Sequence, residues 1–159
     1  MNSEIVVRQL MDDFRRIVQA LRSSHRAAGR LELTGAQLFV LKVLAENGEP
    51  MSVNELAGAT ETTQSTVSAV TARLIDRGLI TSERSAEDAR RAQVSLTAKG
   101  KAVVRKAPAT VAQIRLAEAL GELSAHDAGT LLRLLDEIVA KMGLGAEPAK
   151  MMFDEERRK

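Results

Sequence analysis

Small hydroxyl side chains and one arginine recur between residues 62 and 73 with the spacing of a helix. At 100° per residue, an apolar stripe of Val67, Val70, Thr71 and Leu74 faces one way. Opposite it and at the helix start lie Thr62, Thr63, Gln64, Ser65, Thr66, Ser68, Ala69, Ala72 and Arg73. Short hydroxyls and a guanidinium can reach base edges and phosphates when a helix enters the major groove. This face favours contact with duplex DNA, and a solvated helix face is the alternative.

Two helices and a tight turn must position that face. Ser52 and Glu55 have capping-box spacing, so a first helix is predicted to begin at Ser52. The small residues Gly58 and Ala59 are interpreted as a point of close helix approach, before a turn at 60–62. The second helix is predicted to start at Thr62 or Thr63 and to end at Gly78.

A charged β-hairpin is predicted to follow. Residues 79–84 and 92–96 alternate apolar and polar side chains and are typical of strands. The connecting loop is too polar to be buried, and its arginines are suited to the negative potential of a minor groove. An ordinary solvated hairpin is the alternative. The candidate contact residues of this wing are Arg84, Asp88, Arg90 and Arg91.

These features together resemble the MarR family of bacterial transcriptional regulators. The resemblance rests on LTGAQLFVLKVL at 33–44, the helix-turn-helix, DRGLI at 76–80, Asp88-x-Arg90, and Ser95-Leu96-Thr97 followed by Lys99-Gly100. It implies that Arg90 enters the minor groove, that Asp88 braces the wing and that the helix at 63–77 reads the major groove. Ala69 and Ala72 depart from the charged residues that many members carry there.

The resemblance also implies a mainly α fold with a small β-hairpin wing, in one domain spanning 1–159. Its expected parts are a winged helix-turn-helix lobe at 33–100, a helical dimerisation region at 1–30 and 101–145, and a tail at 146–159. Similar members are repressors that release DNA when a small, often aromatic or anionic, molecule binds. The expected DNA site is an imperfect palindrome, because a twofold dimer presents two identical reading helices.

Composition excludes several classes of function. The chain has 159 residues, 45% of them hydrophobic, a net charge of +2 and no cysteine, so thiol chemistry is ruled out. Between residues 64 and 101, seven basic residues outnumber four acidic ones. Aromatic residues make up only 2%, which disfavours binding of single strands by base stacking. Charges interrupt the N-terminal segment, so we expect no signal peptide or membrane span and a cytoplasmic location.

The flanking segments are predicted to form amphipathic helices that make a homodimer. A helix attached outside a small lobe has little of its own chain to cover its apolar face, so a second copy is the economical partner. A monomer that packs these faces internally is the alternative. Pro108 is predicted to kink, rather than break, one helix at 97–120. The tail is expected either to fold over the dimer or to fray. The candidate interface residues are Val6, Leu10, Phe14, Leu131, Leu135 and Ile138.

Candidates for an effector pocket are Phe14, Arg15, Arg16, His25 and Phe39. The alternative readings are solvated arginines and a His25 that contacts helix-end carbonyls. We find no pattern for catalysis and expect neither an enzyme nor a cofactor. Glu122, His126 and Asp127 have a spacing compatible with a metal site, but surface charge explains them equally well, and no metal is expected. A winged-helix protein-interaction module and a metal-responsive regulator are the remaining alternatives.

Overall fold

Seven helices and three short strands make up the part of the chain that the computed structural model describes, residues 3–84, 92–145, 149 and 151–154. In chain order they are α1 (Ser3–Gly29), α2 (Gly35–Asn47), β1 (Met51–Ser52), α3 (Val53–Ala59), α4 (Gln64–Asp76), β2 (Ile80–Arg84), β3 (Ala92–Leu96), α5 (Ala98–Lys106), α6 (Ala112–Gly121) and α7 (Ala125–Lys141). The strands form an antiparallel sheet in the order β1-β3-β2. The mainly helical fold class with a small β-hairpin is confirmed.

The second helix is the centre of the core. All ten residues of α2 from Gly35 to Leu44 are buried, because its sequence is apolar on every side rather than along one stripe. Lys42 is buried with them and donates from Nζ to the Ala109 carbonyl at 3.1 Å. Thr34 and Gln37 close a capping box at the helix start. Helices α1, α3, α4 and α5 pack around α2.

The predicted helix-turn-helix is present. The hydroxyl of Ser52 accepts from the Glu55 N–H at 3.2 Å, and the Glu55 carboxylate accepts from the Ser52 N–H at 2.7 Å. Thr63 caps α4, and Gly78 follows that helix with a φ of 67°. In the turn, Glu61 adopts a left-handed φ of 50°. Local capping chemistry therefore sets both helix starts where the sequence predicts them.

Two local features differ from the sequence predictions. Strand β1 was not predicted, because two residues give no alternating pattern; Met51 and Ser52 pair with Val94 and Gln93. Gly58 is exposed, and a Cβ at that position would meet nothing within 4 Å. The interpretation of Gly58 as a point of close helix approach is therefore wrong.

The segment around Pro108 breaks the helix, whereas a kink was predicted. Helix α5 ends at Lys106 and α6 begins at Ala112. Ala107 is extended, with φ −78° and ψ 159°, which is the conformation that a following proline favours. Helix α6 then gains a cap from another element, since the Ala112 N–H donates to Ser24 Oγ of α1 at 2.8 Å. This tertiary cap compensates for the lost helical hydrogen bonds.

The close approach in the lobe lies at Gly100 of α5. A Cβ at Gly100 would lie 2.0 Å from the carbonyl oxygen of Leu79, the residue that leads into β2. Only a glycine therefore lets α5 pack this close to the base of the hairpin.

We expect Gly100→Ala to lower the free energy of unfolding by roughly 1–3 kcal/mol, because backbone must move to admit the methyl group. Gly58→Ala is the matched control, and it should raise stability by roughly 0.5–1 kcal/mol because Gly58 is exposed within a helix. Denaturant unfolding of both variants measures the difference. A Gly100→Ala protein as stable as the parent would contradict the contact.

Candidate nucleic-acid interface

Helix α4 has one face in the core and one face in solvent. Val67, Val70 and Leu74 have no exposed surface. On the other side Gln64, Ser65, Ser68, Ala69 and Ala72 are exposed, while Thr62 and Thr66 are half-buried. The division predicted from helical spacing is thus present, and the exposed residues are small and polar, so α4 can approach a groove closely.

A hydroxyl network lies at the start of α4. Thr63 Oγ1 accepts from the Thr66 N–H at 3.3 Å and lies 2.8 Å from Thr66 Oγ1. It also lies 3.1 Å from Ser65 Oγ. Because Thr63 serves as the helix cap, its hydroxyl is committed to structure. Ser68, whose hydroxyl does not take part in this network, is therefore the stronger candidate for contacts outside the chain.

Arg73 differs from the other predicted contact residues. Its Nη2 forms an ion pair with Asp154, a residue 81 positions later in the chain. The Arg73 side chain is 34% exposed, and its Nε is buried without a hydrogen-bond partner among the described residues. The guanidinium therefore lies against the C-terminal segment. Sequence spacing placed Arg73 on the polar face but gave no sign of this partner.

Side-chain hydrogen bonds fasten the hairpin to α4. Thr97, at the end of β3, donates from Oγ1 to the carbonyls of Gly78 at 2.8 Å and Leu79 at 3.1 Å. Lys99 donates from Nζ to the Arg77 carbonyl at 2.8 Å. These bonds tie the end of α4 to the start of α5, so the hairpin has a defined orientation relative to α4. Thr97 also caps α5, as its hydroxyl accepts from the Gly100 N–H at 3.0 Å.

The end of α4 is also tied to the start of α2. Arg77 Nη1 donates to Gln37 Oε1 at 3.3 Å and to the Glu32 carbonyl. The same Gln37 oxygen accepts the Thr34 N–H at 3.0 Å. One buried amide therefore caps α2 and anchors α4.

The predicted wing residues are described only in part. Arg84 is exposed at the end of β2, where it pairs with Ala92 of β3. Asp88, Arg90 and Arg91 lie outside the described residues. The hairpin therefore presents at least Arg84 on its outer end.

The five predicted pocket residues occupy different settings. Phe14 is 40% exposed on α1, and Arg15 and Arg16 on the same helix form exposed ion pairs with Asp12 and Asp13. Phe39 is 5% exposed and packs in the hydrophobic core instead of forming an open wall. His25 stacks on Phe153, with ring centroids 4.8 Å apart, rather than on helix-end carbonyls. Phe153 is a neighbour that sequence reasoning did not find.

The predicted dimer residues lie on open helix faces. Leu10, Phe14 and Ile138 are 51%, 40% and 41% exposed. Val6, Leu131 and Leu135 are half-buried.

Within residues 3–84, 92–145, 149 and 151–154, no three His, Cys, Asp or Glu side chains form a group that could hold a metal ion. Asp127 instead accepts a hydrogen bond from the Ser124 hydroxyl at 2.7 Å. No helix among the described residues has the length and apolar character required to cross a bilayer.

Comparison with known proteins shows which family has this architecture. Residues 31–91 match the sequence profile of the MarR family. A probable transcriptional regulator from Pseudomonas aeruginosa is 30% identical, with 82% of this chain and 96% of that chain covered and a TM-score of 0.55. The chain belongs to the MarR family. Its fold is that of MarR-family transcriptional regulators, which supports a DNA-binding regulator and not an enzyme.

Two other solved structures extend the likeness over most of the chain. The transcriptional regulator BldR from Sulfolobus solfataricus is 27% identical, with 89% of this chain and 99% of that chain covered and a TM-score of 0.55. A variant of MepR from S. aureus, solved bound to an oligodeoxyribonucleotide, is 19% identical, with the same coverage and a TM-score of 0.50. The MepR likeness concerns the fold alone. No protein with a curated description matches the chain.

If the exposed face of α4 reads bases, Ser68→Ala should change the ranking of preferred half-sites more than overall affinity. Loss of one hydrogen bond to a base edge corresponds to roughly a two- to tenfold change in relative preference. Selection from randomised duplexes measures this ranking. Ser23→Ala, at an exposed serine of α1, is the matched control, and identical rankings for the two variants would argue against base contact by Ser68.

Proposed function

We propose that this MarR-family protein is a homodimer that binds specific double-stranded DNA and represses transcription until a small molecule releases it. The observation that carries the proposal is the geometry of α4, whose hydroxyl-bearing face is exposed while its other face is buried in the core. A helix held in this way can enter the major groove without refolding. The MepR variant solved with an oligodeoxyribonucleotide supports the same role for the shared fold.

The proposed homodimer is supported by helices that the chain leaves uncovered. Helix α7 has 17 residues and none of them is buried, while α1 has 27 residues, of which Leu21 and Ala28 are buried. In proteins most of a helix's stability comes from packing of its apolar face, so helices with so few buried residues need a packing partner. Large apolar side chains of α1 and α7 are exposed, namely Ile5, Leu10, Phe14, Ile17, Leu132, Leu134 and Ile138.

A charged pair on α7 indicates which side of this helix stays in solvent in the proposed dimer. Lys141 donates from Nζ to Glu137 Oε1 at 2.6 Å, and this hydrogen bond and the lysine's charge lower the pKa of the Glu137 carboxyl. On a helical wheel Glu137 lies opposite Leu135. The side of α7 that carries Leu135 is therefore the side available to a second copy.

A twofold dimer would present two copies of α4 to one side of a duplex. The two helices fit successive major grooves when they lie about 34–36 Å apart. The DNA site is then an imperfect palindrome, and any change in this separation weakens binding. Arg84, Arg90 and Arg91 would contact the flanking minor grooves, and Asp88 would brace the wing.

We place effector binding between the dimer helices and the lobe. A small aromatic or anionic molecule could use Phe14, Arg15, Arg16 and His25 there, whereas Phe39 would become available only if the core opened. The effector must bind one spacing of the two α4 helices better than the other. About 1.4 kcal/mol of such preference gives tenfold release.

Two other functions remain as outcomes of the tests. A winged-helix module that binds another protein would show no salt-dependent affinity for duplex DNA. A metal-responsive regulator would change its DNA affinity with added metal and would need ligands beyond those the described residues bring together.

The first test is a binding titration of the purified protein against genomic duplex fragments at several salt concentrations. We expect the affinity to fall steeply with salt, because each phosphate neutralised by a lysine or arginine releases counterions. Protection of two half-sites about one helical turn apart should follow in footprinting. Affinity that does not depend on salt, or no duplex binding at low ionic strength, would refute the DNA-binding role.

Arg90→Ala tests the wing in the same titration. Because minor-groove arginines contribute strongly to such complexes, we expect at least a tenfold loss of affinity, with the dimer intact. Unchanged affinity would contradict the role given to Arg90 but not the role of α4.

Ile138→Glu tests the dimer. Two glutamates placed in a symmetric apolar interface should weaken association by on the order of a hundredfold or more, since a buried unpaired charge is costly. Ala140→Glu adds the same charge on the opposite side of α7 and should leave association unchanged. Sedimentation equilibrium of both variants measures the mass, and a dimeric Ile138→Glu protein would contradict this interface.

A further inference from the structure

The last described segment, residues 151–154, lies on the lobe. Met151 is 8% exposed and belongs to the hydrophobic core cluster. The Phe153 carbonyl accepts a hydrogen bond from the Ala36 N–H at 3.4 Å. The Phe153 ring stacks on His25 with an interplanar angle of 13°. One short segment therefore binds the end of α1 and the start of α2 together.

Two features show that this docked position is specific. A Cβ at Gly35 would lie 2.9 Å from Phe153 Cβ, so the segment sits this close only because residue 35 is glycine. Phe153 itself has a left-handed φ of 59°, which is unfavourable for a bulky residue and persists only where contacts impose it. The docked segment is therefore held under backbone strain.

The segment ends on α4. Asp154 forms its ion pair with Arg73 there, and the Asp154 side chain is 15% exposed. A carboxylate offers a guanidinium the same kind of acceptor oxygens as a DNA phosphate does. Asp154 therefore occupies the one arginine on the described part of α4 that could neutralise a DNA backbone.

We propose that residues 151–154 form an autoinhibitory latch, in which Asp154 holds Arg73 until a DNA phosphate replaces it. This inference rests on the proposed function. Release of the latch also frees His25, whose Nδ1 is buried without a hydrogen-bond partner among the described residues. The latch thus links the reading helix to the end of α1.

The central experiment compares duplex affinity of the wild-type chain and Asp154→Asn. The amide keeps the shape of the side chain but removes its charge, so Arg73 becomes available without first breaking an ion pair. We expect about a three- to tenfold lower Kd for the variant. Asp136→Asn, at an exposed carboxylate of α7, changes the net charge equally and is the matched control, with a Kd close to wild type.

A second variant removes the latch without changing charge. In Gly35→Ala the added methyl group should push Phe153 away, so the affinity should rise in the same direction as for Asp154→Asn. Its position at the first residue of α2 tolerates alanine well as a helix former.

A probe on the segment reports its position directly. The chain has no cysteine, so Met152→Cys, at a residue that is 41% exposed, accepts a single nitroxide label. We expect slow label motion in the free protein and faster motion when duplex DNA is added or when Gly35→Ala is introduced.

The outcomes separate the two proposals. Equal Kd values for wild type, Asp154→Asn and Gly35→Ala would overturn the latch and leave the DNA-binding role standing. A label that stays immobile on bound DNA would also overturn the latch. Duplex binding by none of the proteins would overturn both proposals.

Discussion

The burial of α2 from Gly35 to Leu44 is the constraint on which the rest of the lobe depends. A helix that is apolar on every side cannot remain at a surface, so other helices must surround it. Two buried polar side chains of α2 are hydrogen-bonded, Lys42 Nζ to the Ala109 carbonyl and Gln37 Oε1 to the Thr34 N–H. Ala109 lies in the connection between α5 and α6, and Thr34 lies in the connection between α1 and α2. The core therefore fixes where neighbouring elements begin and end.

This constraint divides the molecule into two mechanical parts. Helix α4 and the hairpin are tied to the core by Arg77, Thr97 and Lys99, so their mutual geometry is fixed within one chain. Helix α1 is held at its C-terminal end by α2 and α6, but much of α1 and the whole of α7 carry apolar side chains that stay exposed. In the proposed dimer, the distance between the two copies of α4 is consequently set by how α1 and α7 pack between the subunits.

Sequence reasoning succeeded where the cause of a feature is local. Ser52 with Glu55, Thr63 and Thr97 act within three residues of their partners, and the buried stripe of α4 follows from helical spacing. It failed where the cause lies far along the chain. Gly100 is required by the carbonyl of Leu79, and Arg73 is paired with Asp154; neither spacing nor residue type records such contacts. At Pro108 the sequence predicted a kink but the helix breaks. The break is favoured by the Ser24 hydroxyl, which caps the new helix α6 and lies far away in the chain, on α1.

The C-terminal segment changes how a signal could travel through this fold. The core around α2 is tightly packed, and packed interiors resist gradual deformation. The binding of a ligand near the end of α1 would therefore have little effect on α4 through the packed core of the lobe. Residues 151–154 offer a route over the surface, since Phe153 touches His25 while the adjacent Asp154 holds Arg73. A molecule that replaced Phe153 on His25 would loosen the carboxylate next to it, so in the proposed scheme it would favour DNA binding. An effector that causes release must therefore change the spacing of the dimer, and if it contacts His25 it must leave Phe153 in place.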